Sequence, residues 1–493
     1  MKKRILPLLL ALLMCCMAFA ACGDKDGDEG NTPPPSAVGP SDSGYVLPLK
    51  NLAMDDGSKR EMTVLYSEGQ TKQMIEDTAN ADRVNQGIIE RNALVEEQLF
   101  CAIEYKPMSM SAESLNQALT EEMMSQSGEY DVIFYPYWFG VEPKGYFYNL
   151  LSSPIISEAI DEEFYCQGWN NATTFRNTLN SLTGYGTLDM MTNTTVTIFN
   201  KDLYNNLFDF DLYDYVDAGA FTLETMGAMA KAANYDFDGD GMDARDRFGV
   251  VYHLWAGRAM LFTMGGIVTT WNADGEPTIQ YTTDLNLQVM DAMKNFMEVD
   301  YTYFDRASVT DYFADEKCLF AMGTFETASD IRKKDTGIDY GFVPYPKLND
   351  EQKNYISTNT GMGTWSIPKT VESFENSAYF LNAFHYFSNQ EIRNEYFEDV
   401  LKYGIAQDPE SAKTVDDIMS SIYMDFAFIY DVNISTGVYN SKGQTVSLTN
   451  GAFEVVRGNV AMDFVSFYQS NDSALRANIE NFMNTYVTPE NDY

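Results

Sequence analysis

The stretch EYDVIFYPYWFG (129–140) decides the expected fold. Its apolar run YDVIFYP is typical of a strand buried on both faces, and the aromatic loop PYWFG follows it. Upstream, MTVLY (62–66) and CAIEYKP (101–107) predict two more strands, with apolar residues at helical spacing between them. This β-α-β alternation predicts an α/β fold with a parallel sheet, in which ligands bind beyond the carboxyl ends of the strands.

Further strands and helices are predicted downstream. The strands are TVTIFN (195–200), FGVVYHLW (248–255), CLFAMG (318–323), GFVPYP (341–346) and GTWSIP (363–368). Three helices are predicted from apolar stripes, namely Leu285, Val289, Met293 and Phe296; Phe380, Ala383, Phe384 and Phe387; and Leu475, Ile479, Phe482 and Tyr486. We expect these stripes to pack into cores rather than to bind a cofactor.

The amino-terminal residues have the composition of an export signal. A positively charged start, KKR, precedes an apolar stretch and a small-residue region, which predicts a signal peptide over 1–21. The string FAAC, which ends at Cys22, resembles the lipobox of bacterial lipoproteins, in which the cysteine is acylated after cleavage. Residues 22–44 are rich in Gly, Pro, Ser and Asp and predict a disordered tether. The expected location is extracytoplasmic, with a lipid anchor in the bacterial cell membrane.

The composition excludes several classes of protein. The 493 residues carry a formal net charge of −39, which repels the phosphate backbone of nucleic acids. The two histidines, His253 and His385, are too few and too isolated for a catalytic triad or a zinc centre. Beyond the tether, Cys101, Cys166 and Cys318 are far apart, which favours buried free thiols, although the sequence leaves open whether one pair is bridged.

Four blocks, in this order, resemble the bacterial extracellular solute-binding proteins of family 1, the sugar receptors of ABC importers. The blocks are EYDVIFYPYWFG (129–140); IFNKDLYNNL (198–207) with FTLETMGAMAKAA (221–233); DFDGDGMDARDRFG (236–249); and CLFAMGTFETASDI (318–331) with YGFVPYPKL (340–348) and GMGTWSIPKT (361–370). The resemblance implies a two-lobed, periplasmic-binding-protein-like fold of type II, with a hinge and an interlobe cleft. By this analogy, lobe 1 comprises 45–190 and 363–429, and lobe 2 comprises 191–362 and 430–493.

The resemblance also implies a function without catalysis or a required cofactor. The protein would be a lipid-anchored monomer that binds a carbohydrate, with an oligosaccharide as the expected ligand, and delivers it to the permease subunits of an ABC importer. Sugars present apolar C–H faces and hydroxyl groups, so aromatic rings, carboxylates and amides suit them. The candidate ligand-binding residues are Tyr137, Trp138, Asp189, Trp255, Phe325, Glu326 and Trp365. Phe325 departs from the family, which usually has a tryptophan at this place.

A separate acidic loop is a candidate for metal binding. The pattern D-x-D-x-D-G ending at Gly241 matches the first half of an EF-hand loop, in which alternate carboxylates converge on Ca²⁺. The second half departs from the motif, because Arg247 stands where a bidentate Glu is usual, although Asp243 or Asp246 could supply a late carboxylate. Some members of the resembled family bind calcium here, and the alternative is a solvated acidic turn. The candidate ligands are Asp236, Asp238, Asp240, the Met242 carbonyl and Asp246.

Two other functions remain open from the sequence. An exported glycosidase needs only two positioned carboxylates, and a lipid-anchored adhesion protein would suit the same amino terminus. No motif concentrates a pair of carboxylates, and the sequence contains no P-loop, no G-x-G-x-x-G after a strand and no H-E-x-x-H. Turnover of a glycan would indicate the enzyme, whereas saturable binding of an intact ligand would indicate the receptor.

Overall fold

The computed structural model describes most of the chain as an arrangement of strands and helices. The described residues are 44–69, 83–304, 309–393, 395–396, 408–434, 438–439, 445–446, 448–459 and 462–486. The predicted signal peptide, Cys22 and nearly all of the predicted tether therefore lie outside the described residues. Within the described part of the chain, none of the helices combines the length and the apolar character that crossing a membrane requires.

The elements follow each other in α/β alternation over much of the chain. The strands are β1 (Arg60–Ser67), β2 (Cys101–Met108), β3 (Val132–Pro136), β4 (Thr195–Asn200), β5 (Phe248–Tyr252), β6 (Thr269–Trp271), β7 (Pro277–Ile279), β8 (Thr302–Phe304), β9 (Cys318–Thr324), β10 (Tyr340–Val343), β11 (Gly363–Ser366), β12 (Val438–Tyr439) and β13 (Thr445–Val446). The first helices are α1 (Arg83–Gln98), α2 (Ala112–Ser125), α3 (Pro154–Ser157), α4 (Gln167–Thr173), α5 (Asp189–Thr192), α6 (Lys201–Leu207), α7 (Leu212–Asp217) and α8 (Leu223–Ala233). The later helices are α9 (Leu254–Thr263), α10 (Asp284–Glu298), α11 (Val309–Ala314), α12 (Phe325–Lys333), α13 (Phe374–Arg393), α14 (Pro409–Ser420), α15 (Phe426–Ile429), α16 (Leu448–Val456) and α17 (Phe464–Tyr486).

The first sheet has the strand order β11-β3-β1-β2. Strand β1 pairs in parallel with both β2 and β3, as the β-α-β pattern predicts, and β11 pairs antiparallel with β3. Every residue of β3 is buried, and alternate side chains enter two different hydrophobic clusters, with Phe134 in one and Ile133 in the other. This confirms the prediction of a strand that is covered on both faces.

The second sheet has the order β10-β4-β9-β5-β8. Strand β5 is parallel to β8 and β9, whereas β4 is antiparallel to both of its neighbours. Each large sheet thus contains one reversed strand, β11 in the first and β4 in the second. Both reversed strands directly follow a segment that connects the two sheets, so they enter their sheet from the opposite end.

The two connecting segments, 189–194 and 357–362, lie side by side. The Thr195 amide donates to the Thr358 carbonyl over 2.9 Å, and the Thr360 amide donates to the Asn193 carbonyl over 3.0 Å. A third segment, 421–431, joins them, because the Tyr423 amide donates to the Ser357 carbonyl over 2.8 Å. The passage between the sheets is therefore a small bundle of hydrogen-bonded chains.

The predicted apolar stripes pack into cores with two exceptions. The stripe on α13 is buried throughout, whereas Leu285 at the start of α10 is 40% exposed and Ile479 on α17 is half-buried. The structure also corrects the predicted strand 248–255. It ends at Tyr252, since the His253 side chain caps a new helix by accepting a hydrogen bond from the Trp255 amide over 3.3 Å.

The three cysteines of the described chain are free and buried, as expected. Burial raises the pKa of Cys101 to about 12 and that of Cys166 to about 11. The histidine on α13, His385, is also buried, and burial, with a smaller effect of the Arg91 charge, lowers its pKa to about 3. These groups belong to the packed interior rather than to a reactive site.

Candidate functional site

The carboxyl ends of the two sheets meet at the connecting segments. Gly363, the first residue of β11, pairs with Pro136, the last residue of β3. Thr195, the first residue of β4, pairs with Thr324, the last residue of β9. Both connecting segments therefore attach at the edge where the parallel strands end, which is the edge where open α/β sheets bind ligands.

At the end of β3, the chain turns through a short 3₁₀ helix, Tyr137–Phe139, and presents two aromatic residues. Tyr137 is buried, and its ring centre lies 5.9 Å from that of Trp169 and 6.4 Å from that of Phe428. Trp138 is 39% exposed and meets the Tyr137 ring edge-on at 5.5 Å. The buried tyrosine thus supports an indole that remains open to solvent.

The Trp138 indole also lies against the second connecting segment. A β-carbon placed on Gly361 would be 3.2 Å from the Trp138 Cζ3 atom, which is closer than most carbon contacts. The Gly361 carbonyl accepts a hydrogen bond from Asn193 Nδ2 over 2.7 Å, so the first connecting segment fixes this glycine in turn. The absence of a side chain at position 361 allows the indole to approach the connecting segments.

At the end of β5, helix α9 presents a second exposed indole. Trp255 is 45% exposed, and its amide binds the His253 cap as described above. The Arg258 guanidinium carbon lies 4.6 Å from the centre of the Trp255 ring. An aromatic ring with a cation on one of its faces therefore follows β5, an interior strand of the second sheet.

The surroundings of Tyr137 combine groups from both sheets and from the third segment. Burial raises the pKa of Tyr137, the charge of Asp431 raises it further, and the charge of Arg258 lowers it. The ring centre of Phe428 lies 6.4 Å from that of Tyr137 and 5.4 Å from that of Phe262 on α9. Aromatic rings, an arginine and an aspartate therefore converge where the two sheets meet, which is the chemistry that a sugar needs.

Asp189 lies in this region, and its carboxylate is hydrogen-bonded to the connecting segments and to the start of β11. It is buried, and its Oδ2 accepts a hydrogen bond from the Gly363 amide over 3.1 Å. Its Oδ1 accepts one from Asn193 Nδ2 over 3.2 Å. In this conformation the carboxylate joins the first connecting segment to the start of β11.

The remaining candidates are two buried rings and one exposed carboxylate. Phe325 and Trp365 are 0% exposed. Phe325 packs edge-on against Phe342, and the Trp365 ring centre is 4.5 Å from that of Phe134. Glu326 is exposed in the first turn of α12. In this conformation, the two buried rings belong to the cores of their respective sheets and offer no face to a ligand.

Sequence reasoning missed Arg258, Asp431 and Phe428. The helical spacing of Trp255 and Arg258 was hidden by the prediction that the strand continues to residue 255. The other two lie about 290 positions beyond Tyr137 in sequence, on a segment that only the fold brings to it. No local signal in the sequence marks such a contact.

The acidic loop lies apart from this region and is tightly organised. Carboxylate oxygens of Asp236, Asp238 and Asp246 lie within 4.8 Å of one another. Asp236 accepts hydrogen bonds from the amides of Gly239 and Gly241 over 2.6 and 3.0 Å, which lower its pKa. Three converging carboxylates are oxygen donors of the kind that Ca²⁺ prefers, so the residues fit the ion.

An arginine pairs with one of these three converging acids and with two further acids of the loop. Arg245 pairs with Asp238, Asp240 and Asp243 over 2.7, 2.8 and 2.6 Å. Asp240 therefore faces the guanidinium rather than the converging group, and the Met242 side chain is partly buried against the core. The guanidinium gives the loop a positive charge of its own beside the three converging carboxylates.

Comparisons with known proteins identify the architecture. No protein-family model and no curated protein matches the sequence. Among solved structures, a cyclo/maltodextrin-binding protein complexed with maltotetraose matches with a TM-score of 0.52 and 14% identity, over 88% of this chain and 100% of that chain. The ABC substrate-binding protein Lmo0181 from Listeria monocytogenes in complex with cycloalternan matches with a TM-score of 0.50 and 12% identity, over 87% of this chain and 99% of that chain.

The chain has a two-lobed, periplasmic-binding-protein-like fold. The predicted fold class is therefore confirmed. The candidate site described above lies at the connecting segments, where the carboxyl ends of the parallel strands of both sheets are found. At this level of identity, the likeness concerns the fold, and the ligand has to be argued from the site itself.

Proposed function

We propose that the protein is an extracytoplasmic receptor that binds a carbohydrate in the cleft between its two lobes. The observation that carries the proposal is the pair of exposed indoles, Trp138 and Trp255, one after a central strand of each sheet. Sugar rings stack their C–H faces on flat aromatic surfaces. The Asp431 carboxylate supplies an acceptor for hydroxyl groups in the same region. The carbohydrate complexes of the two matching structures agree with this choice of ligand class.

Ligand binding would close the lobes around the sugar. A sugar that contacts both indoles gains the second contact only when the lobes approach, so it favours the closed state. The connecting segments at Asn193 and Gly361 are the expected hinge. The proposed lobes comprise 45–190 with 363–429, and 191–362 with 430–493, and the proposed ligand is an oligosaccharide.

The receptor would act at the cell surface as part of an importer. The signal-like start and Cys22 support export and a lipid anchor. The proposed partners are the permease subunits of an ABC importer, and the receptor itself would be a monomer without enzymatic activity. The buried state of His385 and of the three cysteines removes these groups as surface nucleophiles or bases.

A thermal-shift screen against a sugar panel tests this proposal. A neutral mono- or oligosaccharide should raise the melting temperature, and calorimetry should then give saturable binding with a stoichiometry near one. Chromatography of the recovered sugar should show that it is intact. Cleaved sugar would indicate the glycosidase instead, and the absence of any shift across the panel would favour an adhesion protein.

We also propose that the acidic loop binds a structural Ca²⁺ through Asp236, Asp238 and Asp246. The convergence of their oxygens supports this assignment. Asp240 and the Met242 carbonyl would complete the shell if Arg245 withdrew from the loop. An ion here would fasten the loop between α8 and β5 in the second lobe and would have no direct role in binding the sugar.

A further inference from the structure

Helix α9 places an arginine against the exposed indole at its start. Trp255 and Arg258 are three positions apart, so the helix brings them to the same face. The guanidinium carbon lies 4.6 Å from the ring centre, within the range of about 6 Å in which a cation is attracted to an aromatic face. One face of the indole is thus covered by the side chain of its own helix.

We propose that Arg258 is a positioning residue of the carbohydrate site, which holds the Trp255 indole from one face so that the opposite face meets the sugar. The inference rests on the proposed function and deepens it. The backbone of Trp255 is held separately, because its amide donates to His253 Nδ1 over 3.3 Å. The start of the helix and the angle of the ring are therefore fixed by two different residues.

The location of Arg258 fits this role. The residue is half-buried beside an exposed ring, and its charge also acts on Tyr137 of the first lobe. A planar guanidinium can lie flat on an indole, whereas a lysine ammonium is a compact and strongly hydrated charge. We therefore expect lysine to replace the arginine only in part.

The first experiment needs no ligand. Acrylamide quenching of tryptophan emission is compared between the wild-type protein and its Arg258→Met and Arg258→Lys variants. The same series in a Trp255→Ala background isolates the contribution of Trp255. Methionine keeps the unbranched stem but not the charge, so Trp255 should become more accessible to acrylamide, with lysine between the two. Equal quenching of Trp255 in the wild-type and methionine proteins would overturn the proposal.

The second experiment measures sugar affinity in the same variants by calorimetry. Arg258→Met should weaken binding about two- to fivefold, which corresponds to an exposed cation–π contact. In the Trp255→Ala background, the same substitution should change affinity no further, because the residue acts through the indole. An equal loss in both backgrounds would overturn the proposal. If no sugar binds the wild-type protein, the proposed function fails, and the quenching comparison alone decides whether Arg258 holds the ring.

Discussion

A buried carboxyl group gives the sharpest prediction for stability. Glu142 lies in the 3₁₀ turn Glu142–Lys144, which packs against helix α17, and is 0% exposed. In the described structure, the titratable groups that face it are the phenols of Tyr135, Tyr430 and Tyr486, and none of these is a cation. Burial raises the pKa of Glu142 from 4.5 to about 7.

This raised pKa makes the folded protein lose stability as pH rises. Below pH 4.5 the group is protonated in both the folded and unfolded states, so it contributes nothing. Between 4.5 and about 7 the unfolded state releases the proton and the folded state keeps it, so the free energy of unfolding falls and then levels off. At 1.4 kcal/mol for each tenfold difference in acidity, the loss is ~3 kcal/mol.

The substitution Glu142→Gln removes this titration. Urea unfolding at pH values from 4 to 8 should show the variant gaining ~3 kcal/mol relative to the wild-type protein across the window. Glu480→Gln, at an exposed position on helix α17, against which the Glu142 turn packs, is the matched control and should follow the wild-type profile. Parallel profiles for the wild-type protein and Glu142→Gln would refute the assignment of a neutral buried acid.

Three further predictions concern the loop, the hinge and the thiols. Calcium at about 100 times its dissociation constant should stabilise the protein by ~2.7 kcal/mol, and Asp246→Asn should abolish the resulting rise in melting temperature. A melting temperature that neither calcium nor a chelator changes would contradict the site. Gly361→Ala should weaken sugar binding by about 1 kcal/mol in calorimetry, because the added methyl group would crowd Trp138. Unchanged affinity would show that the position of the indole does not depend on a glycine at 361. A thiol reagent at pH 8 should react only after denaturation with the buried residues Cys101, Cys166 and Cys318; prompt labelling of any of these three residues in the native protein would contradict their burial.

Most of the fold could be predicted from the sequence because its strands are strongly apolar. The run at 132–136 is buried on both faces, and such apolar runs can be recognised in a sequence without any knowledge of their neighbours. The direction of β4 and β11 could not be predicted in this way. A strand's hydrophobicity is the same in either direction, and only the route of the connecting segments reverses these two strands.

Fewer residues of the candidate site than elements of the fold could be predicted from the sequence. Exposed indoles such as Trp138 and Trp255 could be proposed because they stand at the ends of predicted strands, whereas Trp365 lies within strand β11 and is completely buried. Local sequence does not say which face of a strand the partner elements cover. The contribution of Asp431 to the same region depends on a contact about 290 residues apart in sequence, which only the folded chain creates.

The affinity of Trp138→Ala tests the central claim most directly. Trp271 is the matched control, since it is also 39% exposed but lies on the β6–β7 hairpin. With the sugar that gives the largest melting shift, calorimetry should show that Trp138→Ala binds more weakly by roughly 1–3 kcal/mol, whereas Trp271→Ala binds as the wild-type protein does. Unchanged affinity in Trp138→Ala would contradict a carbohydrate site between the lobes at this indole.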